Sequence, residues 1–223
     1  MQTEELSQNY PALYHMAESG SWPKIRRYGL LSTSALLDMF EIKGEDRIPI
    51  ESQQRKDSVI LKHPIYGSVT IRDQKVLHEN TLKRLLVDMS PRQYYEKLNG
   101  MTFFWVQQER LQRLLGARAY RNKSHSVLIA DTSALVRARH PEISLTHINS
   151  GATSRGSGKR GTGTFVRIDD YPFAKMKRQR GLDAVVELSV DYAVKDIEKF
   201  TLRVEEWRGD RSLRTIWEPD ESR

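Results

Sequence analysis

There is no cysteine among the 223 residues of the chain. Disulfide scaffolds, thiolate metal sites, cysteine nucleophiles and thiol redox switches are therefore excluded. Long apolar runs are missing too. Hydrophobic residues make up 38% of the chain and charged residues 29%, enough for a core and too polar for a bilayer. No stretch approaches the ~20 uncharged apolar residues of a spanning helix. The opening MQTEELSQNY is acidic and polar, whereas a secretory signal is basic and then apolar. These absences predict a cytoplasmic protein without membrane contact. The six histidines (His15, His63, His78, His125, His140 and His147) form no H-x-x-x-H or H-E-x-x-H pair. A metal site is not expected from them. No G-x-S-x-G elbow supports a serine hydrolase.

What is present is basic charge, unevenly placed. Lys+Arg exceed Asp+Glu by 36 to 29, a formal charge of +7. From Gly116 to Arg180 there are 13 basic and 4 acidic residues, a net of +9, while the remainder carries 23 against 25. Such a stretch attracts polyanions, because neutralising phosphates releases counterions. Nucleic acid is the expected partner.

Local signals predict an α+β fold. A short helix precedes a strand over Leu13–Ala17. A helix follows with Ser21 as its cap, Pro23 in its first turn and Gly29 at its left-handed exit. Another helix spans Ser34–Phe40. Residues 43–58 are polar, contain Pro49 and read as a surface loop. Val69–Arg72 is a short strand. Helices at 79–88 and 91–99 lead into an aromatic strand, Thr102–Val106. A helix over 107–116, a strand Ser126–Ala130, a helix capped by Asp131 and an extended Ile143–Ile148 come next. Strands are also expected at Phe165–Ile168, Ala184–Val190 and Thr201–Trp207. One domain, residues 1–208, is expected, with a polar tail over 209–223.

Residues 149–164, NSGATSRGSGKRGTGT, hold five glycines and three basic residues. The G-x-G-x-x-G match at Gly156–Gly161 lacks the following helix that a dinucleotide site needs. The segment reads as a mobile basic loop whose Arg155, Lys159 and Arg160 meet backbone phosphates.

Three polar residues sit in apolar settings. His15 shares one strand face with Leu13 and Ala17. Arg72 ends a strand beside Asp73. Glu187 interrupts the apolar Ala184–Val190, where a carboxylate is costly to bury without a partner.

In this order, the three resemble the ADP-ribosyltransferase fold. Leu13-Tyr14-His15-Met16 and Lys24-Ile25-Arg26-Arg27-Tyr28-Gly29-Leu30 look like the opening of its DarT-like branch. Ile71-Arg72-Asp73 with Phe103-Phe104-Trp105, and Val186-Glu187-Leu188-Ser189-Val190, resemble its later segments. The basic Gly-rich loop is not part of the common pattern and marks a distinct subfamily. The resemblance implies a split, mixed or antiparallel β-sheet core with surrounding helices. It implies NAD as co-substrate, no metal, and transfer of ADP-ribose to a base of DNA or RNA, single-stranded for access. His15 would hold a ribose hydroxyl. Gly29 and Leu30 would shape the turn beside the cofactor. Arg72 would meet the pyrophosphate or position the acceptor. Phe104 or Trp105 would wall the nicotinamide. Glu187 would be the catalytic carboxylate. Such proteins are toxins of toxin–antitoxin or anti-phage systems, restrained by an antitoxin protein. Rival readings are an RNA 2′-phosphotransferase of the same fold, a protein-directed transferase and a non-catalytic nucleic-acid-binding module.

Overall fold

A computed structural model of the chain describes residues 3–153 and 157–220. Its helices are α1 (Thr3–Asn9), α2 (Trp22–Tyr28), α3 (Thr33–Met39), α4 (Gly44–Glu51), α5 (Glu79–Leu85), α6 (Pro91–Asn99), α7 (Gln108–Leu115), α8 (Thr132–Arg139) and α9 (Phe173–Arg180). Its strands are β1 (Ala12–Glu18), β2 (Leu30–Leu31), β3 (Val59–His63), β4 (Gly67–Ile71), β5 (Met101–Trp105), β6 (Ser124–Asp131), β7 (Ile143–Thr146), β8 (Val166–Arg167), β9 (Glu187–Asp191), β10 (Ala193–Val194), β11 (Thr201–Arg208) and β12 (Arg211–Trp217). The fold is α+β. Eight strands form the main sheet in the order β12-β11-β6-β1-β5-β9-β7-β8, and the pairs β10-β2 and β3-β4 form two small sheets. Every pairing of named strands is antiparallel.

Strand alternation divides the core as the sequence pattern requires. On one face, Leu13 and Ala17 of β1 join Phe104, Leu128, Leu145 and Leu188, covered by Leu135 and Val136 of α8 and Phe173 and Met176 of α9. On the other, Met16 joins Val127, Ile129 and Trp207 under Leu111 and Leu115 of α7. Two satellite clusters complete the interior. One gathers Leu82, Tyr94, Tyr95 and Leu98 of α5 and α6. The second gathers Leu37, Phe40, Ile50, Leu61 and Ile71, which seats the β3–β4 hairpin on α3 and α4.

The seam between β1 and β5 positions everything that follows. β1 pairs with β6 along its whole length, from Ala12↔Asp131 to Glu18↔His125. Against β5 it makes a single register pair, Tyr14↔Trp105. Past that point the two strands diverge and a cleft opens between them.

Four local expectations are corrected. Residues 44–51 form α4 rather than a loop. Pro49 removes one backbone bond, but Ile50 is buried, and Arg47 bonds Glu51 and Asp38. Burial of a side chain and these charge-assisted bonds outweigh the proline. Residues 211–217, expected in a polar tail, form the edge strand β12. Gly209, at φ +57, starts the tight turn between β11 and β12. An edge strand faces water and can be as polar as a tail. Ser21 lies at the head of α2 without capping it; its hydroxyl donates to the Glu18 carbonyl. The strand expected from Ala184 begins at Glu187, because residues 181–184 form a 3-10 turn.

Gly29 ends α2 at φ +93, and an added Cβ would stand 2.5 Å from Lys195 Cα. Only glycine fits that backbone approach, which brings β2 onto β10. Gly29→Ala is expected to lower stability by about 1–3 kcal/mol, measured by denaturant unfolding. Unchanged stability would show that the β2–β10 contact relaxes freely.

Candidate active site

The cleft at the β1–β5 seam has a volume of about 650 Å³. His15, Gly29, Leu30, Arg72, Phe104, Trp105 and Glu187 all line it. Seven residues spread over most of the chain thus meet at one place. Among the described residues, no hydrogen bond or ion pair joins His15, Arg72 and Glu187 to one another. They line the same cleft.

Glu187 opens β9 and is 5% exposed. Register places it opposite Trp105 of β5 and Thr146 of β7. Cross-strand partners share a face, so Trp105 is the aromatic beside the carboxylate. Phe104 points to the other face, into the main core, with its ring 5.8 Å from that of His15. Ser150 supplies the bonds to Glu187. Its N–H donates to both carboxylate oxygens, at 3.3 and 3.2 Å, and its hydroxyl donates to Oε2 at 2.6 Å. Burial nevertheless raises the Glu187 carboxyl from its ordinary 4.5 to about 7, against the pull of Ser150, Arg160 and Arg110.

Ser150 is itself held. Tyr94 of α6 donates its hydroxyl to the Ser150 carbonyl at 3.0 Å. Arg160, 2% exposed, donates to the carbonyls of Asn149, at 2.8 Å, and of Ala152 and Gly158. Its own backbone bonds Leu85 and Val87 beside α5. Arg160 therefore braces the loop that carries Ser150. This corrects its expected role at a phosphate: a buried guanidinium spent on three carbonyls has no free face for a polyanion. Lys159 is exposed and donates to the Arg84 carbonyl at 3.2 Å. Arg155 lies outside the described residues. Neither Lys159 nor Arg160 lines the cleft. The second half of the loop is anchored rather than free: Asp88 accepts bonds from the Thr162 backbone and hydroxyl. At Gly161 an added Cβ would stand 2.0 Å from Asp88 Oδ1.

His15 uses Nδ1 on the Phe103 carbonyl across the seam, at 2.8 Å. A carbonyl only accepts, so Nδ1 carries the hydrogen and Nε2 keeps a lone pair. Burial lowers the ring's pKa from 6.5 to about 4, opposed by the Phe103 bond and helped by Arg72. The imidazole is neutral at physiological pH and offers an acceptor. Arg72 follows β4, and its guanidinium stacks on Tyr120, 4.7 Å from the ring centroid. Among the described residues it makes no ion pair.

Arg55, Asn149 and Ser150 also line the cleft, and sequence reasoning missed them; Tyr120, an aromatic of the basic stretch 116–180, lines it too. Arg55 is 7% exposed and, among the described residues, makes no ion pair. It donates to the carbonyls of Arg72 and Ile50 and to Asn99 Oδ1, and burial lowers its pKa to about 10. Nothing in its polar segment could have flagged it. Two arginines without acid partners at one wall make that wall suited to an anion. No group of three or more His, Asp or Glu side chains could hold a metal among the described residues. No described helix is long and apolar enough to cross a membrane.

The profile of DUF7002, a family of unknown function, matches residues 11–201, and the chain belongs to that family. His15, Arg72 and Glu187 all fall within the match. No curated protein matches the chain.

Two predictions come from Glu187. Loss of the Ser150 hydroxyl in Ser150→Ala removes a bond that favours the charged carboxylate. The Glu187 pKa should rise above about 7, read by carboxyl-carbon NMR titration; an unmoved value would refute the assignment of Ser150 as its principal partner. The second concerns stability. The folded pKa lies above the unfolded one, so stability carried by the bound proton is complete below 4.5 and lost as pH rises to about 7. Glu187→Gln escapes this loss. The variant's advantage over the parent should grow across that window, to as much as about 3 kcal/mol, and stay level above it, measured by unfolding at several pH values. An advantage independent of pH would contradict the burial argument.

Proposed function

We propose that this member of DUF7002 is an NAD-dependent ADP-ribosyltransferase that modifies a nucleic-acid base. The observation that carries the reading is the convergence of His15, Arg72 and Glu187 on one cleft large enough for a dinucleotide. The residues present fit such a ligand. Arg72 offers its guanidinium to the pyrophosphate, and the buried Arg55 adds positive charge behind it at the same wall. Neutral His15 offers Nε2 to a ribose hydroxyl. Trp105 offers an apolar wall beside Glu187. The toxin role and a restraining antitoxin protein follow from the resemblance to the DarT-like branch and are part of the same proposal.

Glu187 supplies the chemistry. Breaking the bond between ribose C1′ and the nicotinamide nitrogen sends the electron pair to nicotinamide and leaves positive charge on the ribose. A carboxylate beside that carbon stabilises the charge through space and through the 2′-hydroxyl. It then accepts the proton of the attacking base nitrogen as the new bond to C1′ forms. A carboxyl with pKa about 7 changes state near the pH at which it would act. Ser150 orients it, and the braced loop keeps it oriented.

Labelled NAD incubated with single-stranded DNA, RNA and protein is expected to label a nucleic acid. Glu187→Ala and Glu187→Gln should abolish transfer with the fold intact. The rate should rise through about pH 7 as Glu187 ionises. Retained transfer in the Glu187 variants would refute the site, and labelling of protein alone would refute the substrate class. One observation favours a second reading. Arg55 places a second positive charge at the cleft wall besides that of Arg72, as removal of a 2′-phosphate from RNA by an NAD-using enzyme would require. NAD-dependent loss of the 2′-phosphate from RNA, with the phosphate recovered on ADP-ribose, nicotinamide released and no stable label on nucleic acid, would support that reading instead.

A further inference from the structure

The basic residues of the described chain do not all lie where the Gly-rich loop suggested. The connection between α7 and β6, residues 116–123, reads GARAYRNK and has no acid. Arg118, Arg121 and Lys123 are exposed on it, and among the described residues none is in an ion pair. Arg208 and Arg211 flank the turn from β11 to β12 and are exposed and unpaired in the same sense. The two segments adjoin. An added Cβ on Gly209 would stand 3.4 Å from the Arg121 carbonyl. Gln112 Nε2 donates to the Asp210 carbonyl at 3.4 Å. Arg208 is register-paired with both Ser124 and Arg211. Five cations thus lie around one contact, with Asp210 the acid inside it and Glu18 the acid at its border, opposite His125.

This surface leads into the cleft. Tyr120, in the middle of the loop, lines the cleft and carries Arg72 on its ring. The other exposed basic cluster offers a contrast. Lys175, Arg178 and Arg180 of α9 are as cationic, yet no residue of α9 lines the cleft.

We propose that the α7–β6 loop and the adjoining β11–β12 turn bind the phosphodiester backbone of a single-stranded nucleic acid and lead it into the cleft at Tyr120 and Arg72. A polyanion gains counterion-release energy along a row of unpaired cations. A guanidinium stacked on an aromatic ring still presents its edge donors to a phosphate. A strand whose bases are already unpaired enters a cleft without an unpairing cost. The proposal deepens the nucleic-acid part of the reading above and does not depend on the NAD part.

The test is fluorescence anisotropy of a labelled single-stranded oligonucleotide of about 12 nucleotides, as DNA and as RNA, over a salt series. R118A/R121A/K123A should weaken binding by about tenfold or more at low salt. It should flatten the log–log salt slope by about 2, at roughly 0.7 per lost cation on a single strand. Arg208→Ala/Arg211→Ala, on a different element, should shift both readouts in the same direction. The control K175A/R178A/R180A should stay within about twofold. Equal losses in the loop variant and the α9 control would reduce the effect to net charge and overturn the proposal. Unchanged binding in the loop variant, or no binding by the parent, would overturn it as well. A thermal shift with NAD separates the two readings. If NAD does not stabilise the parent but the loop variant still loses oligonucleotide affinity, the transferase reading fails and the binding track stands.

Discussion

The bonds from Ser150 to Glu187 are the contact on which the site depends. A carboxyl at 5% exposure would be expelled or permanently neutralised without donors. Ser150 provides a backbone N–H and a hydroxyl from one residue, both aimed at the same group. That aim is not local. It needs the Asn149–Ala152 carbonyls fixed by Arg160 and the Ser150 carbonyl fixed by Tyr94. Arg160 in turn is tied through its backbone to the end of α5, and Tyr94 sits in the cluster formed by α5 and α6. A helical layer remote in sequence thereby sets the orientation of one side chain on β9.

The cleft itself follows from incomplete pairing. A closed antiparallel seam would satisfy the backbone of β1 and β5 and leave no space. Here one register pair joins them, and the His15 ring takes up the Phe103 carbonyl that continued strand pairing would otherwise engage. The same residue that lines the opening helps to stabilise it. Its use of Nδ1 for that purpose fixes the tautomer and frees Nε2 for the cleft. Structural and chemical roles are thus not alternatives for His15, although a sequence offers no way to see both.

Much of the frame was legible from short-range signals. Pro23 and Gly29 mark α2, Ser90 and Pro91 mark the start of α6, and Asp131 caps α8 by accepting from the Ala134 N–H. Each rests on bonds within a few residues. The misses have the opposite character. α4 is held by Ile50 packing against distant strands, and β12 by an edge that any polar run could occupy. For the site, Glu187 and His15 were visible because a polar residue in an apolar strand breaks a pattern. Arg55 and Tyr94 break none: one lies in a charged segment and the other in an ordinary amphipathic helix. Arg160 was visible as a cation but misplaced, since nothing in NSGATSRGSGKRGTGT distinguishes an arginine that faces water from one that folds the loop around itself.

That distinction separates two uses of positive charge in this chain. Arg160 and Arg55 are both buried, and both spend their donors on carbonyl or amide oxygens instead of carboxylates. Neutral acceptors take up donors, though not the Arg160 Nε, but leave the net charge uncompensated, which is costly in a desolvated place. Around Arg160 the nearby charge is Glu187, and the two lower each other's cost without touching. Around Arg55 the acid whose charge acts on it is Asp73, with no ion pair formed among the described residues, and Arg72 adds a second cation at the same wall. A wall that carries these two charges is electrostatically incomplete, and an anion in the cleft beside Arg72 is the addition that lowers its energy. The exposed arginines of the α7–β6 loop face bulk water, where such a cost is small, so their charge is free to act at longer range. The excess charge of the chain therefore divides by solvation: buried cations shape the cleft and its preference for an anion, while exposed ones govern what approaches it.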